Sequence, residues 1–205
     1  MDVPERIRGH EHREMGRSPG VRVDRRRDSD GPEWLVVRLH QGGNVRGFRT
    51  FVADDGSGEE LWRSDGSAAG TSRVKDINPG EDSSSPQFLT DVGGILYFAA
   101  DDGTNGIELW RSNGTSGGTI LVSNIQPGSS SSNPTELTDV AGALYFVAND
   151  GINGTELWKS NGTAGTTAMV ENIRASGDSN PEELTDVGGV LYFTADNGVV
   201  GRELW

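Results

Sequence analysis

The sequence predicts an all-β fold, a β-propeller-like array of four-stranded blades of about 48 residues, and three observations predict it. The tripeptide Glu-Leu-Trp occurs at 60–62, 108–110, 156–158 and 203–205, in steps of 48, 48 and 47 residues, and holds four of the five tryptophans. A fixed period of about 20–50 residues marks a repeat architecture whose single units are too small to bury a core of their own. Within each period, short runs of β-branched and aromatic residues alternate with glycine-rich turns, and nothing has helical spacing. Four short strands per period fit a propeller blade, whose repeats run about 40–50 residues; a β-solenoid, with shorter coils, is the competing architecture.

Residues 1–33 hold eight arginines, eight acids, four glycines and three prolines, with almost no large apolar side chain. Such a stretch cannot bury enough surface to offset its ordering entropy, which predicts a disordered charged segment. Arg25-Arg26-Arg27 makes a poor basic patch because Asp24, Asp28 and Asp30 flank it. Residues 34–205 form the array: a degenerate first unit, two fuller units and a last unit ending in Glu203-Leu204-Trp205. Three and a half units fall short of the four or more blades of a closed propeller, so the expectation is an open arc, with residues 35–54 a conceivable donor of early strands to the last blade.

In the second unit, Gln-Phe-Leu-Thr-Asp-Val at 87–92 reads as a first strand and Gly93-Gly94 as a two-residue hairpin turn. Residues 95–100, dense in β-formers, make a second strand. A turn over 101–106 follows, then a third strand over 107–112 containing Glu-Leu-Trp, a turn over 113–118 and a fourth strand over 119–125. Residues 126–133 are a serine-rich connector, and the next two units repeat the order.

The net charge is −13, but residues 1–50 carry 11 arginines against 8 acids while residues 51–205 carry 7 basic and 23 acidic residues. An acidic repeat surface argues against binding a phosphate backbone, which needs clustered Lys and Arg. No cysteine is present, so neither disulfides nor thiolate metal sites can form. No run approaches the ~18 apolar residues of a membrane span, and the first residues lack the apolar stretch of a secretory signal.

Strand alternation puts Glu108 and Trp110 on one face and Leu109 and Arg111 on the other. Glu60/Trp62, Glu156/Trp158 and Glu203/Trp205 repeat the pair. Copies in every unit favour structure: tryptophan packing between blades and glutamate accepting from turn N–H groups. Sugar stacking on tryptophan beside a carboxylate is the functional alternative. Trp110, Trp158, Leu96, Leu144, Tyr97, Phe98 and Phe146 are the expected core. Acidic turns recur at Asp54-Asp55, Asp101-Asp102, Asn149-Asp150 and Asp196-Asn197. Each offers two oxygen-bearing side chains where calcium wants about 6–8 ligands, so Asp54, Asp55, Asp101, Asp102, Asp150 and Asp196 read as turn residues first and calcium candidates second. No other cofactor is implied.

Asp91, Asp139 and Asp186 precede hairpins in every unit, unlike the unique carboxylate pair of a glycosidase. His10, His12 and His40 all precede the recognisable motifs, which leaves the repeats without histidine triads or histidine-bound zinc. Asn113, Asn153 and Asn161 match the glycosylation sequon, but Asn-Gly is also a preferred tight turn.

Glu-Leu-Trp-x-Ser-Asn/Asp-Gly-Thr at 60–67, 108–115 and 156–163, with Gly70-Thr71, Gly118-Thr119 and Gly165-Thr166 after them, resembles the ELWxxDGT repeat of large bacterial surface and secreted proteins. Position 67 is Ser rather than Thr, and the likeness covers about three-quarters of the chain. The resemblance implies a propeller-like array in an exported multidomain protein, extracellular or at the cell surface, with further repeats of the same kind and no defined activity. The reading is a non-catalytic scaffold or binding module for a protein or carbohydrate ligand. The alternative is the propeller portion of a larger extracellular enzyme.

Overall fold

The structure, a computed structural model, describes residues 36–38, 44–45 and 47–205; the expected disorder of 1–33, Arg25–Arg27 and the three histidines lie outside the described residues. The chain is all-β, with one 3-10 turn at Ala164–Thr166, and forms four antiparallel sheets.

The first sheet runs β1 (Val36–Arg38), β3 (Phe48–Asp54), β4 (Glu59–Ser64) and β5 (Ser72–Lys75), with β2 (Asn44–Val45) also paired to β3. The second runs β6 (Gln87–Val92), β7 (Ile95–Asp101), β8 (Ile107–Ser112) and β9 (Ile120–Ser123). The third runs β10 (Thr135–Val140), β11 (Ala143–Asn149), β12 (Thr155–Ser160) and β13 (Ala168–Glu171). The fourth has β14 (Glu182–Val187), β15 (Val190–Asp196) and β16 (Arg202–Leu204). Strand order follows chain order because two-residue and short turns join antiparallel neighbours. The strand β1 pairs with β3 of its own sheet, Val37 opposite Ala53, so this segment completes the first sheet and does not serve the last.

Strand register sorts each sheet into two unlike faces. In the second and third sheets the central pairs are Phe98 opposite Trp110 and Phe146 opposite Trp158. Phe98, Leu96, Ala100 and Trp110 pack with Val52, Leu61, Val74 and Ile77 of the first sheet and its connector. The opposite face of the second sheet, Val92, Tyr97, Leu109 and Val122, packs with Leu144, Phe146, Ala148 and Trp158 of the third. Val147 and Leu157 then meet Leu184, Phe193 and Ala195 of the fourth. All seven residues expected in the core are buried, with Leu96, Phe98, Leu144 and Phe146 fully so. The fourth sheet is different on its far face: Val187, Val190, Tyr192 and Leu204, at the positions that the second sheet fills with Val92, Ile95, Tyr97 and Leu109, are 57%, 54%, 42% and 71% exposed.

The first strands of the second, third and fourth sheets lie side by side. Each carries a bulge, a register break between Gln87 and Thr90, Thr135 and Thr138, and Glu182 and Thr185. At each bulge a non-glycine residue has left-handed backbone: Phe88 at φ 55°, Glu136 at 54° and Glu183 at 60°. Such backbone is costly for a bulky residue, so it persists only where the surroundings fix it. The threonine two residues on helps fix it. Thr90 Oγ1 donates to the carbonyl of Phe88 (3.0 Å) or to that of Leu137 in the next sheet (3.2 Å), and Thr138 Oγ1 faces the carbonyls of Glu136 and Leu184 in the same way.

Candidate functional site

The feature that recurs with the most chemistry is the glutamate of Glu-Leu-Trp. It sits second in its strand, Glu60 in β4, Glu108 in β8 and Glu156 in β12, with no exposed surface. Its carboxylate points at the connector that leads out of its own sheet. Glu108 accepts from the backbone N–H of Ile125 (2.9 Å), Gln126 (3.4 Å) and Ser132 (3.0 Å) and from the Ser132 hydroxyl (2.6 Å). Glu60 accepts from Ile77, Asn78 and Ser84 N–H groups and the Ser84 hydroxyl. Glu156 accepts from Ile173 and Ser179 N–H groups and the Ser179 hydroxyl. One side chain therefore closes a loop of connector by satisfying buried donors at both of its ends.

The serine extends the link into the next sheet. The carbonyl of Ser84 accepts from Asp101 N–H (3.0 Å), that of Ser132 from Asn149 (3.0 Å) and that of Ser179 from Asp196 (2.9 Å). Glutamate, serine and second-strand amide form a joint between consecutive sheets at three places. Burial pushes the Glu60 and Glu108 carboxyls above the usual range, and the hydrogen bonds from the serine hydroxyl and the backbone only partly offset it. A serine hydroxyl can also reach a second acceptor: Ser84 Oγ lies 3.3 Å from the Glu59 carbonyl and Ser179 Oγ 3.4 Å from that of Thr155. The joint can thus hold a protonated carboxyl by turning the hydroxyl round. Glu203 is exposed.

The rest of the motif is also accounted for residue by residue. Ser112 Oγ accepts from Gly114 N–H (3.0 Å) and pairs with Thr119 Oγ1 (2.8 Å); Ser64 and Ser160 do the same with Gly66 and Thr71 and with Gly162 and Thr167. Asn113 Oδ1 accepts from Thr115 N–H and Oγ1, as Asp65 does from Ser67. Gly118 and Gly70 lie under the Asn113 and Asp65 side chains, so closely that a Cβ there would collide. Trp158 Nε1 donates to the Ala148 carbonyl (3.0 Å), and Trp205, 43% exposed, reaches the Ala195 carbonyl and stacks on Phe193. Trp110 is buried and Trp62 half-buried, and both indole N–H groups lack a partner. The buried tryptophans line no groove, which disfavours sugar stacking.

The acidic turns use their oxygens locally. Asp54, Asp101, Asn149 and Asp196 each accept from the glycine N–H two residues on, at 2.7 Å in all four copies. Asp55 accepts from Ser57, Asp102 from Thr104 and Asn105, and Asp150 from Ile152 and Asn153. The Ser57 hydroxyl is the main cause that holds the Asp55 carboxyl below its usual value. At Asp102 and Asp150 partial burial pushes upward, but the bonds from Asn105 and Asn153 and their turns outweigh it and the net shift is down. Among the described residues no three His, Cys, Asp or Glu side chains come together in a metal-holding group.

Asp91, Asp139 and Asp186 cap the hairpin by accepting from Gly94, Gly142 and Gly189 N–H. Within a sheet they do not meet the glutamate: Asp91 is opposite Leu96 and Glu108 opposite Ala100, four residues further along β7. That is about 13 Å at ~3.3 Å per residue, beyond the ~5–9.5 Å of a glycosidase pair. The sequon residue Asn153 is tied to Asp150 and Asn172. Among the described residues no helix is long and apolar enough to cross a membrane.

Sequence reasoning missed the serines, the threonine links and the left-handed bulges. The serines carried a signal, since they follow the glutamates by 24, 24 and 23 residues, each two before a proline. Comparison with known proteins gives no further identification: no family model, no curated protein and no solved structure matches this chain.

Proposed function

We propose that the chain is a non-catalytic repeat scaffold with a binding role, its sheets set as the blades of a propeller-like open arc in a bacterial surface or secreted protein. One observation carries the reading: the residues that recur with chemical potential, above all Glu60, Glu108 and Glu156, are spent on joints between sheets. A catalytic carboxylate must reach a substrate, whereas these have no exposed surface. The blade arrangement is supported by strand order, by the stacking of unlike faces and by the row of first strands. A further repeat of the same kind is the natural cover for the exposed face at Val187, Val190, Tyr192 and Leu204, because that face type is covered by the following sheet everywhere else. Exported location and a protein or carbohydrate ligand come from the motif resemblance.

The test pairs Glu108→Gln with a panel of glycoside and ester substrates. A scaffold loses thermal stability on this change and has no turnover to lose. A hydrolytic activity abolished by Glu108→Gln at unchanged melting temperature refutes the reading. Small-angle scattering separates an arc from an extended solenoid.

A further inference from the structure

The basic residue after Glu-Leu-Trp has a partner in two copies and none in the third. Arg63 Nη1 donates to the Gly114 carbonyl at 2.7 Å and its guanidinium lies 4.5 Å from the Phe48 ring centre. Lys159 sits over the Tyr145 ring at 5.2 Å. Arg111 makes no hydrogen bond or ion pair among the described residues, and its Nε is buried without an acceptor. The cause is one side chain. Thr50 opposite Arg63 leaves room for that arginine to reach the next sheet, while Tyr97 opposite Arg111 puts its hydroxyl hard against Gly162 and takes that room.

A half-buried guanidinium with an unused donor is costly unless an acceptor arrives. Arg111 lines a cavity of about 80 Å³ with Ile95, Asn113 and Gly118. Asn113 spends its oxygen on Thr115, which leaves its amide N–H₂ as a second donor with no acceptor among the described residues. The cavity is far below the ~300–1,000 Å³ of drug-sized sites and holds a few atoms.

We propose that this cavity binds a carboxylate group, its two oxygens shared between the Arg111 fork and the Asn113 amide. A planar monoanion suits the fork geometry, and a dianion is disfavoured by the 23 acids against 7 basic residues of positions 51–205. The carboxylate can come free, as in a small organic acid, or carried on a sugar acid whose ring stays outside. The inference does not depend on the scaffold reading.

The experiment titrates ¹⁵N-labelled full chain with sodium acetate, sodium glucuronate and sodium chloride at matched ionic strength, following the Arg111 Nε–H and Asn113 side-chain signals. The expected result is saturable movement of both with either carboxylate, with a dissociation constant on the order of 1 mM, and none with chloride. Glucuronate binding more tightly than acetate identifies the sugar acid as the source; equal binding identifies the free carboxylate. Arg111→Gln and Asn113→Asp should each weaken binding about tenfold or more. The second variant guards against misfolding, since Asp65 makes the same turn in the first copy. Equal movement in chloride, no saturation by about 50 mM, or undiminished binding by Asn113→Asp overturns the proposal.

Discussion

Replacing Glu108 by Gln keeps the shape of the joint and changes only its donors and acceptors. In the native chain, Oε2 serves Ile125 N–H and the Ser132 hydroxyl, and Oε1 serves Ser132 N–H and, more weakly, Gln126 N–H. The amide retains one oxygen and sets an N–H₂ against the other pair of donors. If the amide nitrogen takes the Oε2 place, the hydroxyl can rotate away, but Ile125 N–H is left buried and facing a donor. If it takes the other, Ser132 N–H is left so. An unsatisfied buried donor costs about 1–3 kcal/mol, and a lost bond to a charged acceptor about 1.5–3. Relief of carboxylate burial offsets part of this, since burial already raises the Glu108 carboxyl. The net expectation is about 2–4 kcal/mol of destabilisation, or roughly 5–15 °C in melting temperature at ~2–4 °C per kcal/mol. Scanning calorimetry at neutral pH on Glu108→Gln, with the exposed Glu203→Gln as control, measures it. A Glu108→Gln melting temperature within about 1 °C of the control would refute the view that the carboxylate holds the connector.

Trp110→Ala should cost about 3–5 kcal/mol, while Trp205→Ala, on a half-exposed side chain, should cost less than half as much; chemical denaturation compares them. The joints and turns should respond to pH in opposite senses. Glu60 and Glu108 have raised carboxyls, so their contribution is fully present below the unfolded value near 4.5 and is lost as pH rises through the folded one. Asp55, Asp102 and Asp150 are lowered, so theirs is present above 3.8 and lost as pH falls through the folded value. Urea unfolding from pH 7 to 3 should therefore show the Asp102→Asn variant losing less stability than wild type below pH 3.8; equal losses contradict this. Calorimetric titration with calcium should reveal nothing tighter than about 0.1–1 mM, and a micromolar site abolished by Asp102→Ala defeats the turn assignment. The exposed Val187, Val190, Tyr192 and Leu204 predict that residues 34–205 self-associate in light scattering, and that an appended copy of a fuller unit restores a monomer. A sharply melting monomer without that addition would count against it.

What could be read from the sequence is what repeats within a few residues. Glycine pairs marked the hairpins, and the alternation at Glu108-Leu109-Trp110 marked two buried faces, because turn backbone and strand pleat are local properties. The first sheet was harder: Arg49 stands where the later copies have leucine, and its first strand lies far upstream of the expected turn. The joints were out of reach for a different reason. Ser132 meets Glu108 across 24 residues and Thr90 meets Leu137 across 47, so neither has a signature in any short window. The left-handed backbone at Phe88 is imposed by that packing against the ordinary preference of phenylalanine, and a propensity argument points the wrong way there.

The glutamate–serine joint also bears on how such a chain can change length over generations. Every joint is built from one period of sequence and its immediate successor, so gaining or losing a whole period in the gene returns a joint of the same parts wherever the crossover falls. The third step shows the tolerance of the scheme. One residue fewer separates Glu156 from Ser179 than Glu108 from Ser132, yet the hydroxyl still reaches the carboxylate at 2.6 Å in both. The slack is taken up in the connector between Ile173 and Ser179, outside any strand. Single-codon drift is thus absorbed where the backbone is free to bend, and the strands keep their phase.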